Sequence, residues 1–151
     1  MIIEFKHFNE LTNRELYDML QLRAEIFVVE QTCIYNDLDG LDKEATHIIV
    51  KNDGKNEIIA ASRLLKPGTR FPDFSIGRVV VKQNMRGTGL GIRMMDEAKK
   101  FMMEQWNAKI IKVSAQKYLQ KFYENLGFSV KTEEYIEDGI PHVGMVFRLS
   151  S

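Results

Sequence analysis

Apolar and polar positions along the chain follow two periods, and the switches between them mark the elements. Ile2, Ile3, Phe5 and Phe8 fall in a short opening strand. Thr12-x-x-Glu15 is a capping box, in which each side chain satisfies a backbone N–H of the first turn, so a helix starts near Asn13. Leu16, Met19, Leu20, Ile26 and Phe27 give that helix an apolar face. Arg23 lies between the last two turns of this face. It reads as a rim arginine, snorkelling or paired with a carboxylate, or as an anchor for the acidic segment that follows.

Residues 30–44, EQTCIYNDLDGLDKE, have no period and are long for a loop, which points to a binding role or partial disorder. Residues 47–50 and 58–65 read as strands joined at Asn52-Asp53-Gly54, a hairpin signal. Pro67-Gly68 makes a turn before a strand over 74–82. A helical pattern over 90–105 buries Leu90, Met94, Met95, Ala98, Phe101 and Met102. A strand over 109–114 follows, then a helix over 116–125 with Gly127 as its C-terminal cap. Strands over 128–135 and 142–149 pair around Glu137-Asp138-Gly139. The order is α/β, with helices flanking a mixed sheet.

Length changes this picture little: 151 residues make one domain, 1–151, with a core of ordinary size. Lys plus Arg equals Asp plus Glu, which argues against nucleic acid held by bulk charge. Charges interrupt the N-terminal stretch where a signal peptide needs its apolar core, and no segment is long enough to span a membrane. Cys33 is the single cysteine, so an internal disulfide is excluded and a cytoplasmic setting fits. As a nucleophile it would need a partnered base, and it reads instead as a buried or half-exposed thiol. Asp37, Asp39 and Asp42 around Gly40 suggest a calcium loop, but the first and twelfth positions would be Tyr35 and Thr46, so no metal site is expected.

The chemistry concentrates in VVVKQNMRGTGLG, residues 79–91. A β-branched strand, a glycine turn and a helix in that order make an anion cradle, because free N–H groups and the macrodipole both face the turn. Gly87, Gly89 and Gly91 let backbone approach a phosphate with no Cβ between them. The spacing is neither G-x-x-x-x-G-K-[ST] nor G-x-G-x-x-G, so a nucleotide P-loop is excluded and a dinucleotide fingerprint does not fit.

Arg86-x-x-Gly89-x-Gly91 after a hydrophobic strand resembles the acetyl-CoA signature of the GNAT N-acetyltransferases. A second family element follows at Ala115-Gln116, Leu119, Phe122-Tyr123 and Leu126-Gly127-Phe128. LRAEIFVVEQTCIYNDLDGLD (22–42), IGRVVV (76–81), AQKYLQKFYENLGF (115–128) and EDGIPHVGM (137–145) resemble the ElaA-like branch almost end to end. The resemblance implies a GNAT-like fold with a mostly antiparallel sheet. It also implies direct transfer of acetyl from acetyl-CoA to an amine, with no metal. On that basis Arg86, Gly87, Thr88, Gly89, Leu90, Gly91 and Ile92 hold the pyrophosphate. The edge at Val79, Val80 and Val81 takes the pantetheine, and Gln116 touches the cofactor.

Tyr123 matches the family's general acid. A phenol of pKa about 10 stays protonated at neutral pH and can donate to a thiolate whose acid has pKa about 8.5. The strands where some relatives carry a basic glutamate read Val79-Val80-Val81 and Ile110-Ile111-Lys112-Val113, without a carboxylate. Glu30, Asp37, Glu44, His47 and His142 remain as bases. Glu30 and His142 are expected in the acceptor pocket, His142 on a stiff approach set by Pro141. The acidic loop reads as a solvated loop or as a wall of the acceptor pocket that draws in a protonated amine. The acceptor, a small molecule or a peptide, and a homodimeric assembly are left open. So are two other classes: an acyl-CoA-binding regulatory module without turnover, and a nucleotide-binding protein.

Overall fold

A computed structural model describes residues 1–150. Eight strands form one sheet, β1 (Ile2–His7), β2 (Thr46–Lys51), β3 (Ile58–Leu65), β4 (Phe74–Val81), β5 (Ile110–Gln116), β6 (Ser129–Val130), β7 (Tyr135–Glu137) and β8 (Ile140–Arg148). The order is β1-β2-β3-β4-β5-β8-β6, with β7 also on β8, and every pairing is antiparallel except β4 with β5. Helices α1 (Asn13–Arg23), α2 (Leu90–Trp106) and α3 (Gln120–Asn125) cover it. Among the described residues no helix is long and apolar enough to cross a membrane.

Alternation along the strands sends side chains to two cores. Met94, Met95, Ala98 and Met102 of α2 pack with Ile48, Val50 and Ile111 on one face. Met19 and Leu22 of α1, with Ile26 and Phe27, pack with Ile49, Ile58, Ala61 and Val80 on the other. Strand β3 is therefore buried along its whole length. The capping box at Thr12 is present, with Glu15 closing it.

Three segments differ from the pattern-based expectation. The first helix runs past Ile26 and Phe27 as expected, but from Ala24 to Glu30 it is π-helical, which keeps both on the core. The helix expected over 116–125 begins only at Gln120. Gln116 belongs to β5, where it pairs with His142, and Lys117–Leu119 is a single 3-10 turn. The strand expected over 128–135 is two short pieces, and Glu137 belongs to β7, so the tight turn is Asp138-Gly139, both at positive φ.

Burying β3 also buries Arg63 in its middle, and Arg23 is equally enclosed, each 1% exposed. A buried cation needs an ionised, hydrogen-bonded partner. The acidic loop supplies three. Asp37 Oδ2 accepts from Arg23 Nε at 2.9 Å, and Asp42 takes both terminal nitrogens of Arg23 at 2.7 and 3.2 Å. Asp39 grips Arg63 bidentately at 2.8 and 2.6 Å. Residues 37–42 are thus tied down, and their carboxylates are spent on arginines rather than offered to an amine. Arg23 is both carboxylate-paired and the loop's anchor.

The same loop holds Arg78. This residue sits in β4 with φ +50°, where Ser62 of β3 faces two residues, Arg78 and Val79. Such a bulge costs a non-glycine residue about 1–3 kcal/mol. Arg78 Nε lies 2.7 Å from Asp37 Oδ1, a charge contact without hydrogen-bond alignment, and its guanidinium lies over Tyr35. Beyond Ser75 and Lys112, β4 and β5 no longer pair, while each stays bonded to its outer neighbour. The two strands splay, leaving a wedge and an unpaired β4 edge.

Burial alone would raise the pKa of Asp42, but the hydrogen bonds and charge of Arg23 outweigh it and hold the group below its ordinary value. Its stabilisation is therefore fully present above about pH 4, the unfolded value, and lost as pH falls through the lower folded value. Asp42→Asn should cost about 3 kcal/mol at pH 7 by stranding part of two buried cations. That difference should shrink below about pH 4. Urea unfolding at pH 7 and pH 3 checks both; an equal cost at the two pH values would contradict it.

Candidate active site

Two glycines with left-handed backbone build the cradle. Gly87 at φ +77° and Gly89 at φ +83° turn the chain from β4 into α2, and a Cβ on either would project into open space. Gly89 caps α2 without a side-chain bond, and the first intrahelical bond runs from Arg93 N–H to the Gly89 carbonyl. The N–H groups of Leu90, Gly91 and Ile92 therefore have no helical acceptor, and no acidic side chain occupies the first turn. An anion fits that set. Gly91 differs from the expectation: its backbone is helical, and a Cβ there would touch Phe122 and Val81 at ordinary contact distance.

Thr88 also stands apart. Its hydroxyl donates to the Met85 carbonyl at 2.6 Å, and it does not line the cavity. Arg86 does line it, with Nη2 2.8 Å from Glu30 Oε2. This places Glu30 at the cradle, as the counter-ion of a phosphate-binding candidate.

The wedge is a cavity of about 460 Å³ that runs from the cradle past the free edge of residues 79–81 to the β7–β8 hairpin. Tyr123 lines it from α3, wedged edge-on between Phe122 and Phe128. Burial pushes its pKa up from the phenol value, so it stays protonated at neutral pH. Gln116 reaches across the cavity to Gln31, and the two amides exchange hydrogen bonds at 3.1 and 3.2 Å.

Strand register assembles the far end. Gln116 pairs with His142 and His142 with Tyr135, while Ser114 and Glu137 stand two residues along on the same face. His142 is buried, and its Nδ1–H donates to the Ile140 carbonyl at 2.7 Å, which turns Nε2 towards Glu137 at 3.5 Å. Glu137 accepts from Arg70 at 2.7 Å and from Ser114 at 3.4 Å, and Ser114 shares a 2.5 Å hydrogen bond with Tyr135.

Arg70, Ser114, Tyr135 and Glu137 were not among the sequence-derived candidates. The polar alternation Ser114-x-Gln116 and Tyr135-x-Glu137 carried the signal. The other bases are placed elsewhere: Asp37 is bound to arginines, Glu44 is exposed, and His47 is a core residue whose pKa burial lowers, with Nε2 on the Asp42 carbonyl. Cys33 is half-exposed at the cavity, its thiol donating to the Asp138 carbonyl at 3.1 Å.

The sequence and the fold both have known counterparts. The model of the Acetyltransferase (GNAT) domain family matches residues 15–149. Protein ElaA of Escherichia coli K12 is 42% identical over 142 residues, covering 92% of this chain and 91% of that protein. The crystal structure of an acyl-CoA N-acyltransferase from Pseudomonas aeruginosa superposes with a TM-score of 0.89 at 40% identity, covering 97% of this chain and 99% of that one. An aminoglycoside 6'-N-acetyltransferase complexed with coenzyme A shares the fold, at TM-score 0.73 and 13% identity over 98% of this chain and 97% of that one.

A carbonyl can only accept, so the hydrogen bond to Ile140 fixes the tautomer of His142. In the neutral ring the proton should sit on Nδ1. Side-chain ¹⁵N shifts of the assigned histidine check this, and an Nε2–H tautomer would contradict the geometry.

Proposed function

The chain belongs to the acetyltransferase (GNAT) family, and from that premise we propose that it transfers an acetyl group from acetyl-CoA to a primary amine by direct attack. The family and its acyl-CoA N-acyltransferase neighbour make it an acyltransferase. One observation supports the finer reading: a single cavity joins an anion cradle, an unpaired strand edge, a buried phenol and a polar acceptor end. The whole chain, 1–151, acts as one transferase domain in this reading.

Each part has work that its chemistry suits. The free N–H groups at the start of α2 take the pyrophosphate, and Arg86 exchanges Glu30 for phosphate oxygens. The edge at Val79, Val80 and Val81 offers backbone donors to the pantetheine, and one N–H there polarises the thioester carbonyl. Because backbone does this, the side chains need only be β-branched and apolar. His142 Nε2, or Glu30 through water, takes a proton from the incoming ammonium. The neutral amine then forms the C–N bond as the C–S bond breaks.

Tyr123 gives its proton to the departing sulfur and is reprotonated by the second proton that the nitrogen loses. Overall one ammonium and one thioester yield an amide, a free thiol and one proton. The burial that raises the phenol's pKa keeps the proton on Tyr123 until charge develops on the sulfur, and the same apolar surroundings disfavour a bare thiolate beside it. Glu30, paired at the cradle, is the less direct of the two bases.

Two variants test this reading. Gly89→Ala should lose only the modest affinity that left-handed strain costs, whereas Gly89→Glu should abolish binding of CoA in calorimetry by setting charge against charge. Equal affinity of the glutamate variant and the parent would remove the cradle. Tyr123→Phe should bind CoA as the parent does but lose roughly 10²–10⁴ in kcat, the usual worth of a positioned general acid. Release of thiol on adding amines measures it. CoA binding with no thiol release from the parent would favour a non-catalytic acyl-CoA-binding module instead.

A further inference from the structure

The acceptor end contains one carboxylate that faces His142 and is held in place by two other side chains. Glu137 is gripped by Arg70 and Ser114 and stands 3.5 Å from His142 Nε2, with Ser114 fixed in turn by Tyr135. It is about three-tenths exposed and lines the cavity. Such a group is aimed, since a flexible surface glutamate would not be tied by two partners of different chemistry. Arg70 spends one N–H of its five on Glu137 and lies over the Phe71 ring. Arg70 also lines the same cavity. Arg78 is also at the wall, but two carboxylates, Asp37 and Asp39, answer its charge, whereas among the described residues Arg70 is paired with Glu137 alone.

We propose, resting on the acyl-transfer reading above, that Glu137 and Arg70 read the acceptor as a pair. Glu137 receives the ammonium to be acylated, and the free donors of Arg70 take an anionic group on the same molecule. The acceptor class is then an amine that carries its own carboxylate or comparable anion close by, as an amino acid does. A polyamine is disfavoured, because its second ammonium would meet the guanidinium.

The placement also orders the chemistry. An ammonium on Glu137 lies next to His142 Nε2, which in the neutral ring carries the lone pair because Nδ1 holds the proton. The ammonium gives one proton to that nitrogen, and the amine so formed attacks the thioester carbonyl. Glu137 is thus a binding group, and His142 the proton acceptor. Glu137→Asp, one methylene shorter, should keep part of the affinity.

The test uses the CoA-saturated protein and three probes of matched length, β-alanine, propylamine and propanediamine. CoA binding is established first by calorimetry, and its failure would sink the CoA reading, not this one. Ring resonances of assigned His142 then report each titration. We expect β-alanine to bind more tightly than propanediamine, with propylamine between them. Glu137→Gln should weaken all three about tenfold or more, the worth of a charge-assisted hydrogen bond. Arg70→Gln should erase the advantage of β-alanine. Tighter binding of propanediamine by the parent would overturn the Arg70 half. An unchanged dissociation constant in Glu137→Gln, or no probe response at His142, would overturn the whole.

Discussion

Two arginines buried beneath a sheet are the constraint on which the rest of this structure depends. Arg23 and Arg63 are closed off from water, and each would cost several kcal/mol without an ionised partner. Asp37, Asp39 and Asp42 answer them. This draws an otherwise patternless loop across the sheet. With the loop in place, Asp37 and Asp39 also face Arg78 and secure the left-handed residue at the bulge of β4. A charge requirement in the core is thereby converted into the shape of a strand.

That shape matters because two strands must part. A parallel pair that stayed hydrogen-bonded would use up the β4 edge and close the space beside it. Here β4 and β5 pair only at their first residues and diverge beyond. The wedge gains an edge of backbone donors on one side and α3, with Tyr123, at the other. Since α2 starts where β4 ends, its free N–H groups fall at the mouth of the same wedge. In the proposed reading cofactor binding needs few particular side chains, which is why it can rest on glycines and valines.

How much of this the chain revealed follows from sequence distance. The cradle and the Tyr123 motif are each local, so their residues could be read in one pass, and the structure brings them to one cavity, Thr88 excepted. The α/β class and most strands followed from period alone. The acidic loop was only half read: Arg23 could be taken as its anchor, but Arg63 and Arg78 lie far along the chain from its carboxylates, and a row of aspartates looks solvated until its cations are found. The proposed acceptor end was only partly visible for the same reason. Ser114, Tyr135, Glu137 and His142 share a face through strand register, which no local pattern states. Glu137 looked like a turn residue because the hairpin turn is one residue shorter than its glycine suggested.

The central claim is that the splayed edge of β4 and the free start of α2 form one backbone-lined groove for a CoA thioester. Amide hydrogen exchange with and without CoA tests it most directly. The account predicts slowed exchange in residues 77–82 and 87–92 together, with the paired amides of β3 and β8 unchanged. CoA bound tightly with exchange in both segments unaltered would contradict it.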